Sequence, residues 1–340
     1  MKKSVCLPFE VPIFATTQGA AATGLAMIGH PTAFNYLLNN STSLYCTRKF
    51  IKGFTTPEVS VPDSGIFSCG FMVRYGVNFK YSFPHCMDII KNMLNDKLYI
   101  YYNRVDDFYL PGKSWYGTRH IYHDGVICGY DDNDGTLSIA AYDINWLYSL
   151  IRIPQEAFIK GMQSAFEVEQ YGTFTGYKIR NNVVIDLEEK KIINNIKEYL
   201  ESDFKAYPTD VEGGVRGAVV HDYLCIYLKK IIDGSVPYEK MDWRVLRPVW
   251  EHKKCMLERI RAVEIKNAWD KYLGDAYMPI VEKANYIRMM YALYHRRRKD
   301  SILSGVIKEL MELKNEEKQI LAQFVERMET SIMTDVKKGL

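Results

Sequence analysis

Apolar positions in the first half of the chain alternate or gather in short runs. In the second half they recur every three or four residues. The run 97–103 (KLYIYYN) is aromatic and β-branched and predicts a strand. Residues 121–130 (IYHDGVICGY) predict another. The Asp-, Asn- and Gly-rich stretch 131–135 predicts a turn, with 136–142 (TLSIAAY) as the return strand of a hairpin. Residues 87–95 predict a helix with Ile89, Ile90, Met93 and Leu94 on its apolar side, and Pro154 opens a second one reaching Met162. Further on, helical spacing predicts 187–200, 219–232, 250–272, 284–298 and 301–328. These are at least five helices packed as a bundle or cap.

Composition sharpens this division. Residues 1–179 hold 15 Lys/Arg, 15 Asp/Glu and 15 Gly, whereas residues 180–340 hold 29, 26 and 7. Gly172, Gly176, Asn181 and Asn182 mark the transition. The expected organisation is α+β: an N-terminal domain over 1–175 with an antiparallel sheet, then an all-α domain over 176–340. A net charge of +3 gives no reason to expect nucleic-acid binding. No apolar run is long enough to cross a membrane. Pro8, Glu10 and Pro12 break the stretch that a signal peptide would need. The seven cysteines are odd in number, irregularly spaced and without a CxxC pair, which fits a reducing cytoplasm and gives no metal site.

The hairpin carries the first candidate chemistry. His123 lies in one strand and Asp143 at the end of its partner, where a carboxylate can fix the imidazole tautomer and leave the other nitrogen as base. Cys46 lies 77 residues before His123, after the polar run 39–43 and at the start of an expected helical turn, 46–50. A helix N-terminus or an imidazolium would favour its thiolate. Asn40 could donate to an oxyanion beside the thiol, and Gln18 is a more distant alternative for that task. Cys69, between small residues in SGIFSCGF, is the rival nucleophile. Cys128 shares a strand with His123 but points to the other face.

A cysteine, then about 80 residues, then a strand histidine with a GYDD turn and a strand-end aspartate resembles the papain-like fold of bacteriocin-processing peptidases. Four segments are similar to a narrower group, the butirosin biosynthesis protein H type: 44–50 (LYCTRKF), 103–111 (NRVDDFYLP), 123–132 (HDGVICGYDD) and 242–261 (DWRVLRPVWEHKKCMLERIR). The resemblance implies acyl transfer in natural-product assembly. An acyl group would pass from the phosphopantetheine arm of an acyl- or peptidyl-carrier protein to the cysteine, and then to a small amine. It assigns Cys46 as nucleophile, His123 as base and Asp143 as orienter, with Asn40 at the oxyanion and no cofactor bound by the protein itself. Papain-like enzymes carry Gln where this chain has the shorter Asn40.

Asp106, Asp107 and Tyr109, between a strand and Pro111, are candidates for holding the amine, with Tyr122 among the rings nearby. A solvated turn is the plainer reading of the same residues. Arg296, Arg297, Arg298 and Lys299 form the one dense basic run. They either complement the end of a helix or dock an acidic partner such as a carrier protein. Two other functions stay open: a cysteine peptidase or amidase with the same triad, and a non-enzymatic binding protein on a degenerate papain-like scaffold. An apolar setting around Cys46 with no histidine in reach would favour the last.

Overall fold

The structure, a computed structural model, describes residues 3–53, 55–62, 64–65, 70–82, 85–202, 213–269 and 272–338. The chain opens with β1 (Ser4–Cys6), α1 (Gln18–Ala26), α2 (Asn35–Asn40), β2 (Tyr45–Thr47), α3 (Lys49–Lys52) and β3 (Val59–Ser60). There follow β4 (Met72–Asn78), α4 (Phe79–Ser82), α5 (Cys86–Asn95) and β5 (Tyr99–Asp106). After a 3-10 turn at Asp107–Tyr109 come β6 (Tyr122–Asp131), β7 (Thr136–Tyr142), β8 (Tyr148–Pro154), α6 (Gln155–Glu169) and β9 (Thr173–Ile179). The remainder is α7 (Glu189–Glu201), β10 (Gly214–Arg216), α8 (Val220–Ile232), α9 (Arg247–Lys266), α10 (Tyr272–Arg297) and α11 (Asp300–Lys338).

The chain forms two compact units, 1–34 with 65–185, and 35–64 with 186–340. The single boundary expected at 175 is replaced by a discontinuous division: a segment near the N-terminus packs with the helical part. Residues 173–179, where glycines signalled a linker, form a strand inside the sheet. Gly176 leaves room there for Leu98, whose atoms lie 3.2–3.4 Å from where a Cβ would sit.

The first unit is built on an antiparallel sheet in the order β4-β9-β5-β6-β7-β8, with β1 also paired to β6. The predicted hairpin forms, running from Asp131↔Thr136 to Val126↔Ala140. Helix α1, which carries no ionisable side chain, packs against β5, β6 and β9. Helix α6 packs against β5 and starts directly after Pro154, which also closes β8.

A β-bulge in β5 shapes the site. Tyr102 faces Gly125, but Val105 faces His123, so three steps on β5 span two on β6. Arg104 takes up the extra residue in a left-handed conformation, φ 62°. Beyond the bulge the alternation of faces is reset, and this aims the residues that follow.

The second unit is mainly helical, as expected, but it is not all-α: β10, β2 and β3 form a small antiparallel sheet. Its helices bury periodic apolar faces, such as Ile192, Ile193, Ile196 and Tyr199 of α7. Its core also holds a polar cluster. Glu317 accepts from Lys253 at 2.6 Å, from Tyr199 at 2.7 Å and from Tyr277 at 2.5 Å, with all four side chains fully buried.

Candidate active site

Two consecutive carboxylates, the last residue of β5 and the first of the 3-10 turn, organise the site. Asp107 Oδ2 accepts from His123 Nδ1 at 2.7 Å. Asp106 Oδ2 accepts from His120 Nδ1 at 2.6 Å and from Ser164 Oγ, on α6, at 2.7 Å. The other Asp106 oxygen accepts from the Phe108 backbone N–H, which closes the 3-10 turn. Two consecutive residues thus each hold one histidine by Nδ1. They can do so because the bulge re-aims Asp106 and Asp107, and the Asp107 N–H donates to Ile121 O, keeping β5 and β6 together at this end.

The carboxylate that orients His123 is therefore Asp107, and this corrects the expected role of Asp143. At His123 the strand β6 pairs with β5, whereas β7 from Ala140 onward pairs with β8. Asp143 serves the β7–β8 turn instead. Its Oδ1 accepts from the Asn145 and Leu147 backbone N–H groups and its Oδ2 from Ser149 Oγ.

With Nδ1 donating to Asp107, Nε2 of His123 is left as the acceptor. The ring is 35 % exposed, while Asp107 is buried. Lys113 reaches the same Asp107 oxygen at 3.7 Å. Asp124, next to His123, accepts from Tyr101 Oη at 3.2 Å, and burial pushes its carboxyl above the usual range. Tyr102 Oη lies fully buried against Gly125, its cross-strand partner, where an added Cβ would stand 2.5 Å away. His120 is held flat by Phe108, with the rings stacked at 4.3 Å.

The remaining predicted residues take other places. Asp106 is wholly occupied within the fold and is not available to bind an amine. Asp107 serves His123. Tyr109 packs edge-on against Phe108, at 5.2 Å between ring centres. Tyr122 pairs across the sheet with Asp106, and partial burial raises its phenol. Arg296 and Arg297 end α10, and all four residues of the basic run are exposed. Arg298 lies 3.7 Å above the Tyr238 ring.

Cys46 belongs to the second unit, whereas His123, Asp107 and Asp143 belong to the first. It does not open a helical turn. It is the middle residue of β2, paired with Val215 and Val59, and is 0 % exposed. Burial alone pushes its thiol up to about 12, so the group stays neutral and unreactive near neutral pH. Asn40 donates to Tyr36 O, within its own helix, at 2.7 Å. Gln18 accepts from Tyr148 Oη at 3.1 Å. The rival Cys69 lies outside the described residues. Among those residues there is no group of three or more His, Cys, Asp or Glu placed to hold a metal ion, and no helix long and apolar enough to cross a membrane.

Asp106 and Asp107 thus hold histidines rather than an amine, and Lys113 and His120, which carry no motif in the sequence, join them. The available signal was the acidic pair 106–107 at the end of one strand and two histidines, 120 and 123, at the start of the next. No protein-family model matches the chain, and no curated protein matches it.

Proposed function

We propose that this protein is an acyl-transferring enzyme in which His123 is the general base, Asp107 its orienter and a small amine the acceptor. The observation that carries this reading is the 2.7 Å hydrogen bond from His123 Nδ1 to buried Asp107, which leaves Nε2 of a partly exposed ring as acceptor. The α1 helix laid against an antiparallel sheet supports a papain-like scaffold. The resemblance set out above supports a carrier-bound thioester as donor, and the exposed basic run Arg296–Lys299 offers an acidic carrier a dock. The described free cysteines fit a reducing cytoplasm.

The chemistry then differs from a cysteine acyl-enzyme. The amine nitrogen attacks the thioester carbonyl directly, Nε2 of His123 takes its proton, the C–S bond breaks, and the proton passes to the departing sulfur. No covalent step runs through Cys46. A second reading, a binding protein on the same scaffold, is favoured by one observation: the apolar, fully buried setting of Cys46.

Aminolysis of an acylated carrier protein, followed by mass spectrometry, separates these readings. His123→Ala and Asp107→Asn should each lower turnover by about 100-fold or more, the usual scale of positioned base catalysis. Cys46→Ala should leave it nearly intact. An acyl adduct on Cys46, or loss of turnover in Cys46→Ala alone, would return the nucleophile to that residue. Tight binding without turnover would select the binding protein.

A further inference from the structure

Lys113 is a buried cation whose charge the proposed reaction does not use. It sits in the loop after the 3-10 turn, its side chain 6 % exposed, with its N–H donating to Leu110 O and its own carbonyl accepting from the Tyr116 N–H. Its ammonium points at Asp107 Oδ2, 3.7 Å away, the oxygen that already accepts from His123. Lys113, Asp107 and His123 thus form a chain through a single carboxylate oxygen.

We propose that Lys113 is a positioning residue that limits how tightly His123 holds a proton, by sharing the one Asp107 oxygen on which the imidazolium would rely. A proton on Nε2 turns His123 into a cation beside Asp107. With Lys113 already compensating that carboxylate, less is gained by charging the ring beside it. The titratable groups that act on this chain are Asp124 on β6, which accepts from Tyr101 of β5, Asp143 just after β7, and Tyr102 of β5 beside Asp107 and Asp124. Helix α6, packed against the 3-10 turn, brings Ser164 to Asp106. Helix α1 contributes none. Asp107, Asp124 and Asp143 all act on Lys113 as anions, against a burial that pulls its ammonium below the ordinary lysine range. A cation buried at this cost, beside the carboxylate that accepts from His123, has an electrostatic effect that a neutral side chain of the same length would lack.

The inference rests on His123 being the base, and its test does not need turnover. Nuclear magnetic resonance of the His123 ring in the full chain, followed across pH, reads the proton directly. In Lys113→Met the ring should keep its proton to higher pH, with a severalfold gain in proton affinity. In Lys113→Arg it should follow wild type. Where Lys113→Met does not fold, Lys113→Gln, which is neutral and polar, gives the same reading. A His123 ring that titrates at the wild-type pH in the neutral variant, or that loses its proton earlier, overturns the proposal. A shifted ring in a protein that turns over no acyl thioester would sink the proposed reaction and leave this inference standing.

Discussion

At the scale of single residues, environment rather than residue type decides which group reacts. Cys46 and His123 both looked chemical in the sequence. Cys46 sits between two valines of neighbouring strands, and burial pushes it up to about 12. At pH 8 such a thiol stays essentially un-ionised. Cys6 is exposed. Iodoacetamide at that pH should therefore label Cys6 in the native protein and reach Cys46 only after denaturation, as peptide mapping would report. Rapid native labelling of Cys46 would contradict the buried thiol. His123 differs because a buried carboxylate holds one nitrogen while the other stays open.

At the scale of elements, the β5 bulge is the device that builds the site. Arg104 accepts a φ of 62°, which costs an L-residue about 1 kcal/mol and a β-branched one more. Its ion pair with Glu169, at 2.9 Å on a half-exposed side chain, adds little. Asn103 fixes the bulge from the other side by accepting from the Thr173 N–H at 2.7 Å. Arg104→Val should lower stability by about 2 kcal/mol and weaken the downfield Nδ1–H proton resonance of His123, whereas Arg104→Gly should keep both. Equal melting temperatures for the two variants would remove the bulge from this role. The hairpin β6–β7 was legible beforehand because alternation and an Asp/Asn/Gly turn specify it locally. The bulge was not, since a single left-handed arginine leaves no trace in a polar–apolar pattern.

At the scale of the whole molecule, the second unit carries its own acid sensitivity. His252 donates through Nε2 to Thr42 O at 2.7 Å, and His221 donates through Nδ1 to Ala218 O at 2.9 Å. Both are fully buried, and burial, aided by Lys253, holds both imidazoles well below the ordinary range. The unfolded chain takes up a proton at each as pH falls through about 6.5, and the fold does not. Stability is therefore present above that pH and lost below it, at about 1.4 kcal/mol per pH unit for each histidine until the folded groups also titrate. Helical circular dichroism should show acid unfolding that moves to lower pH in His252→Gln, which keeps a donor for Thr42 and does not titrate. An unmoved midpoint would rule His252 out as a contributor. His252 lies on α9, a helix rich in charged residues. Its burial follows from α9 lying deep in the unit, where charges such as Lys253 are matched within the core.

The sequence by itself determined the α+β class, the change from sheet to helix along the chain, the β6–β7 hairpin and the five late helices. Each is written in local periodicity and turn chemistry. It also placed His123 on its strand and singled out Asp106 and Asp107. Only the tertiary structure decided that residues 35–64 join the helical unit, that Gly176 lies within a sheet rather than a linker, and that Cys46 is a core residue. It alone decided that Asp107, and not Asp143, holds His123. Those outcomes depend on which strands become neighbours and where one extra residue is inserted between them. Such long-range pairings are settled by packing, and no short window of sequence contains them.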